Sequence, residues 1–183
     1  MNALPTALNA ATHTFALSAP DVLVLHPGDV ALVFAGDRVE TLLGSCVAVI
    51  LTDPRRTVAV MCHIVHSMNP PPGRGCDARF ASPAIDAACA LLHSVGIVPA
   101  LCEAYLYGGG NMFPAQPTAR QVGAENVRWA EAFLSRHEVR VCAKSVGGAA
   151  YRRIGWTVGA GEPAVISVAV AHGADAALPT FSG

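Results

Sequence analysis

Apolar residues are spaced along this chain in two ways. Short β-branched runs recur at Val30–Phe34, Cys46–Thr52, Val58–Val65, Leu101–Tyr107, Val139–Ala143 and Ala164–Val170; bounded by Gly, Pro or Asp, they predict six strands. The second and third flank Asp53-Pro54-Arg55-Arg56, where Asp and Pro favour a type I turn, so this pair predicts a hairpin. Two segments follow the helical period instead. Ser82 and Pro83 offer an N-cap hydroxyl and a proline at the first helical position, Asp86 falls in the first turn, and Gly96 suits a left-handed close, predicting a helix over 83–95. Its Ile85, Ala88, Cys89 and Leu92 form one stripe. A second helix is predicted over 124–137, with Val127, Ala130, Phe133 and Leu134 inward and Glu125, Arg128, Glu131 and Arg136 outward. Strands interleaved with two helices make an α/β or α+β single domain.

Composition narrows the classes. The 183 residues are 52% hydrophobic and 14% charged, enough apolar surface for one core and too much for disorder. Residues 1–20, rich in Ala, Thr and Asn, and residues 171–183 show no period and read as loose ends around a domain at 21–170. Twelve Lys and Arg balance thirteen Asp and Glu, which supplies no field for nucleic acid or for an anionic membrane. The first twenty residues lack a secretory pattern and no run is long enough to span a bilayer, so a cytoplasmic protein is expected, with its six cysteines reduced. None of them forms C-x-x-C, and most are expected to be small core residues.

Cys46 stands apart. It lies between the Gly44-Ser45 turn and the apolar strand that begins at Val47, held by the strand yet reachable through the turn. N–H groups around Gly44, Ser45 and Cys46 suit a tetrahedral oxyanion. A thiol needs a base, usually histidine. If the hairpin turns at 53–56, paired residues sum to about 109 and His63 stands directly opposite Cys46, while Cys62 and Ile64 point to the other face. His66, at the strand end, is a weaker partner. The residues alone leave open the commoner fates, a core cysteine and a structural histidine. Cys62, His63, His66 and Cys76 are not expected to form a metal site, since on a strand His63 and His66 face opposite ways. Gly108 to Gly110 lacks the Gly-Lys-Ser/Thr of a phosphate loop and reads as a turn shaping a cleft or as a plain tight connection. No cofactor is expected. Trp129 and Trp156 are read as core residues, Arg152 and Arg153 as a solvated pair.

The stretch Thr41-Leu42-Leu43-Gly44-Ser45-Cys46-Val47-Ala48-Val49, followed by Asp53-Pro54 and His63, resembles the CheD family, the chemoreceptor glutamine deamidases of bacterial chemotaxis. Gly108-Gly109-Gly110-Asn111-Met112-Phe113 is similar to its Gly-Gly-Ala-x-Met segment, and Val122-Gly123-Ala124-Glu125-Asn126-Val127 to its Ile-Gly-x-x-Asn-Val. The matches cover most of residues 28–158.

The resemblance implies a sheet-rich core of mixed and antiparallel strands with two main flanking helices. It implies a cysteine hydrolase, without cofactor or metal, that converts particular glutamines of methyl-accepting chemotaxis receptors to glutamate. Cys46 would be the nucleophile, His63 the base, and Thr41 the threonine that assists the histidine. Partners implied are those receptors and a CheC-type phosphatase of the response regulator. A non-catalytic or weakly active regulator of that phosphatase is the alternative, and a peptidase or acyl transferase using the same dyad is a third reading. Three positions depart from the family pattern. The segment after His63 is longer and proline-rich through Pro72, Phe80-Ala81-Ser82 replaces Tyr-x-Asp before the first helix, and Ala149 stands where the family has asparagine.

Overall fold

A computed structural model of the chain describes residues 22–113 and 121–170; the loose ends expected at 1–20 and 171–183 lie outside them. Nine strands and two α-helices follow in the order β1 (Val22–Leu25), β2 (Val30–Phe34), β3 (Arg38–Leu43), β4 (Val47–Thr52), β5 (Val58–Ile64), α1 (Ala81–Ser94), β6 (Glu103–Gly108), α2 (Val122–Arg136), β7 (Arg140–Val146), β8 (Ala150–Thr157) and β9 (Ala164–Ala169). The expected α/β domain with two helices and mixed sheets is what forms. One sheet runs β2-β5-β4-β6-β7 and the other β1-β3-β8-β9, with β1-β3 and β6-β7 parallel and the remaining pairs antiparallel.

The molecule is layered as helices, five-stranded sheet, four-stranded sheet. One face of the larger sheet packs Val47, Val49, Val60, Cys62, Ile64 and Leu106 against Ile85, Ala88 and Leu92 of α1 and Ala130 and Leu134 of α2. The other packs Ala48, Ile50, Met61, Tyr105 and Tyr107 against Leu25, Val39, Leu43, Ile154 and Trp156 of the smaller sheet. With both faces covered, every residue of β4 is buried, and its sequence is a continuous apolar run.

Each run picked out by hydrophobicity contains a strand, and β1, β3 and β8 join them. Arg38–Leu43 and Ala150–Thr157 alternate buried and less buried positions, as strands do when only one face is covered. Leu101 belongs instead to a short 3₁₀ turn, Pro99–Leu101, ahead of β6.

The β4-β5 hairpin forms, but its register differs from expectation by two residues. Ala48, not Cys46, stands opposite His63. The turn closes at Asp53–Arg56, with Arg56 N–H donating to Asp53 O at 2.8 Å. The Asp53 carboxylate then accepts the N–H groups of Thr57 at 2.7 Å and Val58 at 2.8 Å, and Arg56 takes a left-handed φ of 57°, so the loop absorbs two more residues before pairing resumes. A slip of two preserves which residues share a face, and Cys46 keeps its place on the His63 side, packed against the inter-sheet core.

Helix α1 begins two residues before the expected start. Phe80 is its N-cap, with no side-chain cap; Ser82 and Pro83 are its second and third residues and Asp86 lies beyond the first turn. A backbone bond replaces the cap, Ala81 N–H donating to His66 O at 2.8 Å, and proline costs nothing where N–H groups have no helical acceptor. At the far end Gly96, φ 79°, donates to His93 O while Ile97 donates to Leu92 O, the paired bonds of a Schellman close. Trp156 is buried against Tyr105; Trp129 is half-buried and stacks on Phe133 along α2.

Candidate active site

The smaller sheet supplies Thr41, the larger sheet His63, and the turn that crosses between the sheets supplies Cys46. Thr41 lies on the inward face of β3, 2% exposed, and its Oγ1 is 2.9 Å from Leu25 O and 2.8 Å from His63 Nδ1. A hydroxyl carries one proton and the Leu25 carbonyl can only accept, so Thr41 donates to Leu25 and accepts from Nδ1–H. The network therefore assigns His63 the tautomer whose Nε2 bears a lone pair. That Nε2 is buried and makes no hydrogen bond among the described residues.

Burial sets both protonation states. His63 is held below its ordinary pKa chiefly because burial disfavours the imidazolium, against an upward pull from the Leu25 carbonyl and the Asp29 carboxylate. Burial likewise pushes the Cys46 thiol up, its own backbone N–H pulling the other way. At neutral pH the resting pair is thiol and neutral imidazole, one a proton donor and the other an empty acceptor.

The turn before β4 is held from outside. Gly110 N–H donates to Gly44 O at 2.8 Å and Gly109 N–H to Cys46 O at 2.7 Å. Gly109, with φ 66°, has no room for a side chain, because a Cβ there would run into Val127 Cγ2. The Gly108–Gly110 segment thus backs the turn that carries Cys46. A Cβ on Gly44 would stand 2.9 Å from Met112 Sδ, so the Gly44 backbone is packed closely against Met112.

Two residues near the site were not read from the sequence as site residues. Asn126, 1% exposed, donates through Nδ2 to Ser45 O at 3.1 Å and Val65 O at 2.9 Å. Arg152 is buried rather than solvated; it reaches Ser145 Oγ at 3.0 Å and Gly147 O at 2.7 Å, holding the loop whose Gly147 N–H donates to Gly108 O. Arg153 is exposed and pairs with Glu40 at 2.6 Å. Asn126 sits inside the Val122–Val127 motif quoted above, which was the available signal.

The other thiols divide by depth. Cys62 faces α1, its Sγ 3.7 Å from Ala84 O, with its pKa driven far up by burial; Cys102 is pushed to about 11. Cys89 and Cys142 are half-buried, and Cys76 is exposed rather than packed. Cys62 and His63 point to opposite faces, and His66 lies against Phe80. Among the described residues no three His, Cys, Asp or Glu side chains are placed to hold a metal, and no helix is long and apolar enough to cross a membrane.

Residues 66–166 match the family described as CheD chemotactic sensory transduction, a span that starts downstream of Thr41, Cys46 and His63. The chain is 32% identical over 162 residues to "Probable chemoreceptor glutamine deamidase CheD 3" of Dechloromonas aromatica, covering 87% of this chain and 93% of that protein. It is 32% identical to the protein named CheD 2 from Albidiferax ferrireducens, over 78% of this chain and 85% of the relative. Against the CheD protein of Pseudomonas savastanoi pv. phaseolicola it is 34% identical, over 72% and 76%. Family span, relatives and fold agree: the chain belongs to the CheD family.

Proposed function

We propose that the protein is a cytoplasmic protein-glutamine glutaminase of chemotaxis, hydrolysing the side-chain amides of specific glutamines on methyl-accepting chemoreceptors through a Cys46 thioester. The observation that carries this reading is the bond between Thr41 and His63 Nδ1, which leaves Nε2 bare on the same face as Cys46. His63 Nε2 takes the thiol proton as Cys46 Sγ attacks the amide carbon. The carbonyl oxygen becomes an oxyanion beside the N–H groups of the Gly44-Ser45-Cys46 turn. When it collapses, the C–N bond breaks and Nε2–H protonates the departing nitrogen, releasing ammonia. Water, deprotonated by the same Nε2, attacks the thioester; the C–S bond breaks, glutamate leaves and the thiol is restored.

Receptor cytoplasmic fragments incubated with the protein and mapped by mass spectrometry are expected to show Gln-to-Glu conversion that vanishes in Cys46→Ala. Conversion persisting in that variant overturns the assignment of Cys46. Backbone cleavage favours the peptidase reading, and tight binding of a CheC-type phosphatase with no conversion favours the regulator.

A further inference from the structure

Three consecutive carbonyls, those of Gly44, Ser45 and Cys46, are each fixed by a donor outside their turn. Two of the donors are backbone N–H groups of Gly110 and Gly109. The middle one is a side chain, Asn126. Its second amide hydrogen goes to Val65 O, and because both acceptors are carbonyl oxygens the orientation of the amide is fixed; turned over, Oδ1 would face two like dipoles. Oδ1 is buried without a partner among the described residues. A buried acceptor left unsatisfied costs about 1–3 kcal/mol, so net stability is a poor reason for an amide here.

Position is a better one. Across a trans peptide the N–H points opposite to the C=O. With Ser45 O drawn toward α2, the Cys46 N–H faces the other way, onto the side of its own sulfur, where it favours the thiolate against burial. Among the described residues no backbone carbonyl outside the strand ladders accepts the Ser45 or Cys46 N–H. Helix α2 reaches the turn because Gly123 permits it: a Cβ there would stand 2.5 Å from Gly109 O and 2.6 Å from Gly110 O.

We propose that Asn126 is a positioning residue for the deamidation: by pinning the Ser45 carbonyl it holds the Ser45–Cys46 peptide with its N–H on the thiol side, ready for the thiolate and then for the oxyanion of the tetrahedral intermediate. This rests on Cys46 being the nucleophile. Freed from Asn126, the peptide can rotate and the donor is lost at the moment charge develops.

The test uses the full chain as wild type, Cys46→Ala, Asn126→Ala and Asn126→Asp. It reads kcat and KM for receptor-fragment deamidation, and the rate of Cys46 alkylation against pH, resolved by peptide. Asn126→Ala is expected to lower kcat by roughly 10²-fold with KM within about twofold, and to move the alkylation profile to higher pH. In Asn126→Asp a buried carboxyl faces two carbonyls and stays protonated at lower pH, where its O–H restores one donor. Its kcat relative to Asn126→Ala is therefore expected to be highest at low pH and to fall as pH rises.

A folded Asn126→Ala protein with kcat within about twofold of wild type, or with kcat lost but the alkylation profile unmoved, overturns the proposal. If Asn126→Ala does not fold, Asn126→Asp against wild type decides: a ratio of rates that does not decline with rising pH overturns it. Deamidation surviving in Cys46→Ala instead removes the nucleophile assignment, a result distinct from either.

Discussion

Cys62 and His63 are neighbours in β5, yet they belong to different environments. The Cys62 face of the five-stranded sheet meets α1 and α2 in a core of aliphatic side chains, and its sulfur makes a long contact to Ala84 O. The His63 face meets the four-stranded sheet and buries Thr41 against the histidine, whose Nε2 has no partner among the described residues. Burial alone therefore does not set the two apart, since Cys62 and His63 are 1% and 2% exposed. What separates them is polar company and distance from the rim. Cys46 sits where the second face ends, half-buried, held against the interior yet partly open to the surface.

The sharpest way to break this contrast is to remove one thiol from each face. Cys46→Ala is expected to lower receptor deamidation by roughly 10⁴-fold or more, as loss of a nucleophile does elsewhere. Cys62→Ala is expected to leave kcat within about twofold and to cost on the order of 1 kcal/mol in a denaturant melt, a packing loss. Equal losses of activity from the two would mean that the faces are not functionally distinct.

Thr41→Val probes the polar face without changing its shape. Valine removes both the acceptor for Nδ1–H and the donor to Leu25 O, leaving buried groups unpaired at a cost of about 1–3 kcal/mol of stability. The histidine loses the contact that fixes its tautomer, and kcat is expected to fall by roughly 10²-fold. Thr41→Ser keeps the hydroxyl and is expected to stay within about fivefold of wild type. A Thr41→Val protein as active as Thr41→Ser would remove the tautomer argument.

How far this contrast could be read in advance depended on what carries each part. That Cys46, His63 and the inter-sheet core share a face followed from the period of two along β4 and β5, and it survived a register error because the slip was even. The slip itself arose in the Asp53 carboxylate, which gathers two N–H groups that a bare turn would have returned to the ladder. Strands β3 and β8 were missed because a search for apolar runs passes over Arg38-Val39-Glu40-Thr41 and Tyr151-Arg152-Arg153, whose alternation marks a sheet with one face open. Asn126 meets Ser45 across 81 positions of sequence, and no local pattern encodes such a contact. Arg152 was misread for a related reason: charge suggests solvent, but the loop around Gly147 offers its guanidinium carbonyl and hydroxyl acceptors in the interior.

The smallest effect expected, and the most diagnostic of the polar face, is in pH. Burial depresses His63 below its ordinary 6.5 and raises Cys46 above its ordinary 9.0, so the thiol and neutral-imidazole pair persists across a wider range than free side chains would allow. The acid limb of kcat/KM is therefore expected below pH 6.5. Stability follows the same group: between the lowered folded pKa and 6.5 the unfolded chain binds a proton that the folded protein refuses, so stability falls as pH drops through that window and is unaffected by His63 above it. His63→Asn is expected to flatten this part of the stability profile, while Cys62→Ala, on the other face, leaves it unchanged. Chemical denaturation from pH 5 to pH 8 measures both; an acid limb above 6.5, or a His63→Asn profile as steep as wild type, would mean that the imidazole is not held neutral by its surroundings.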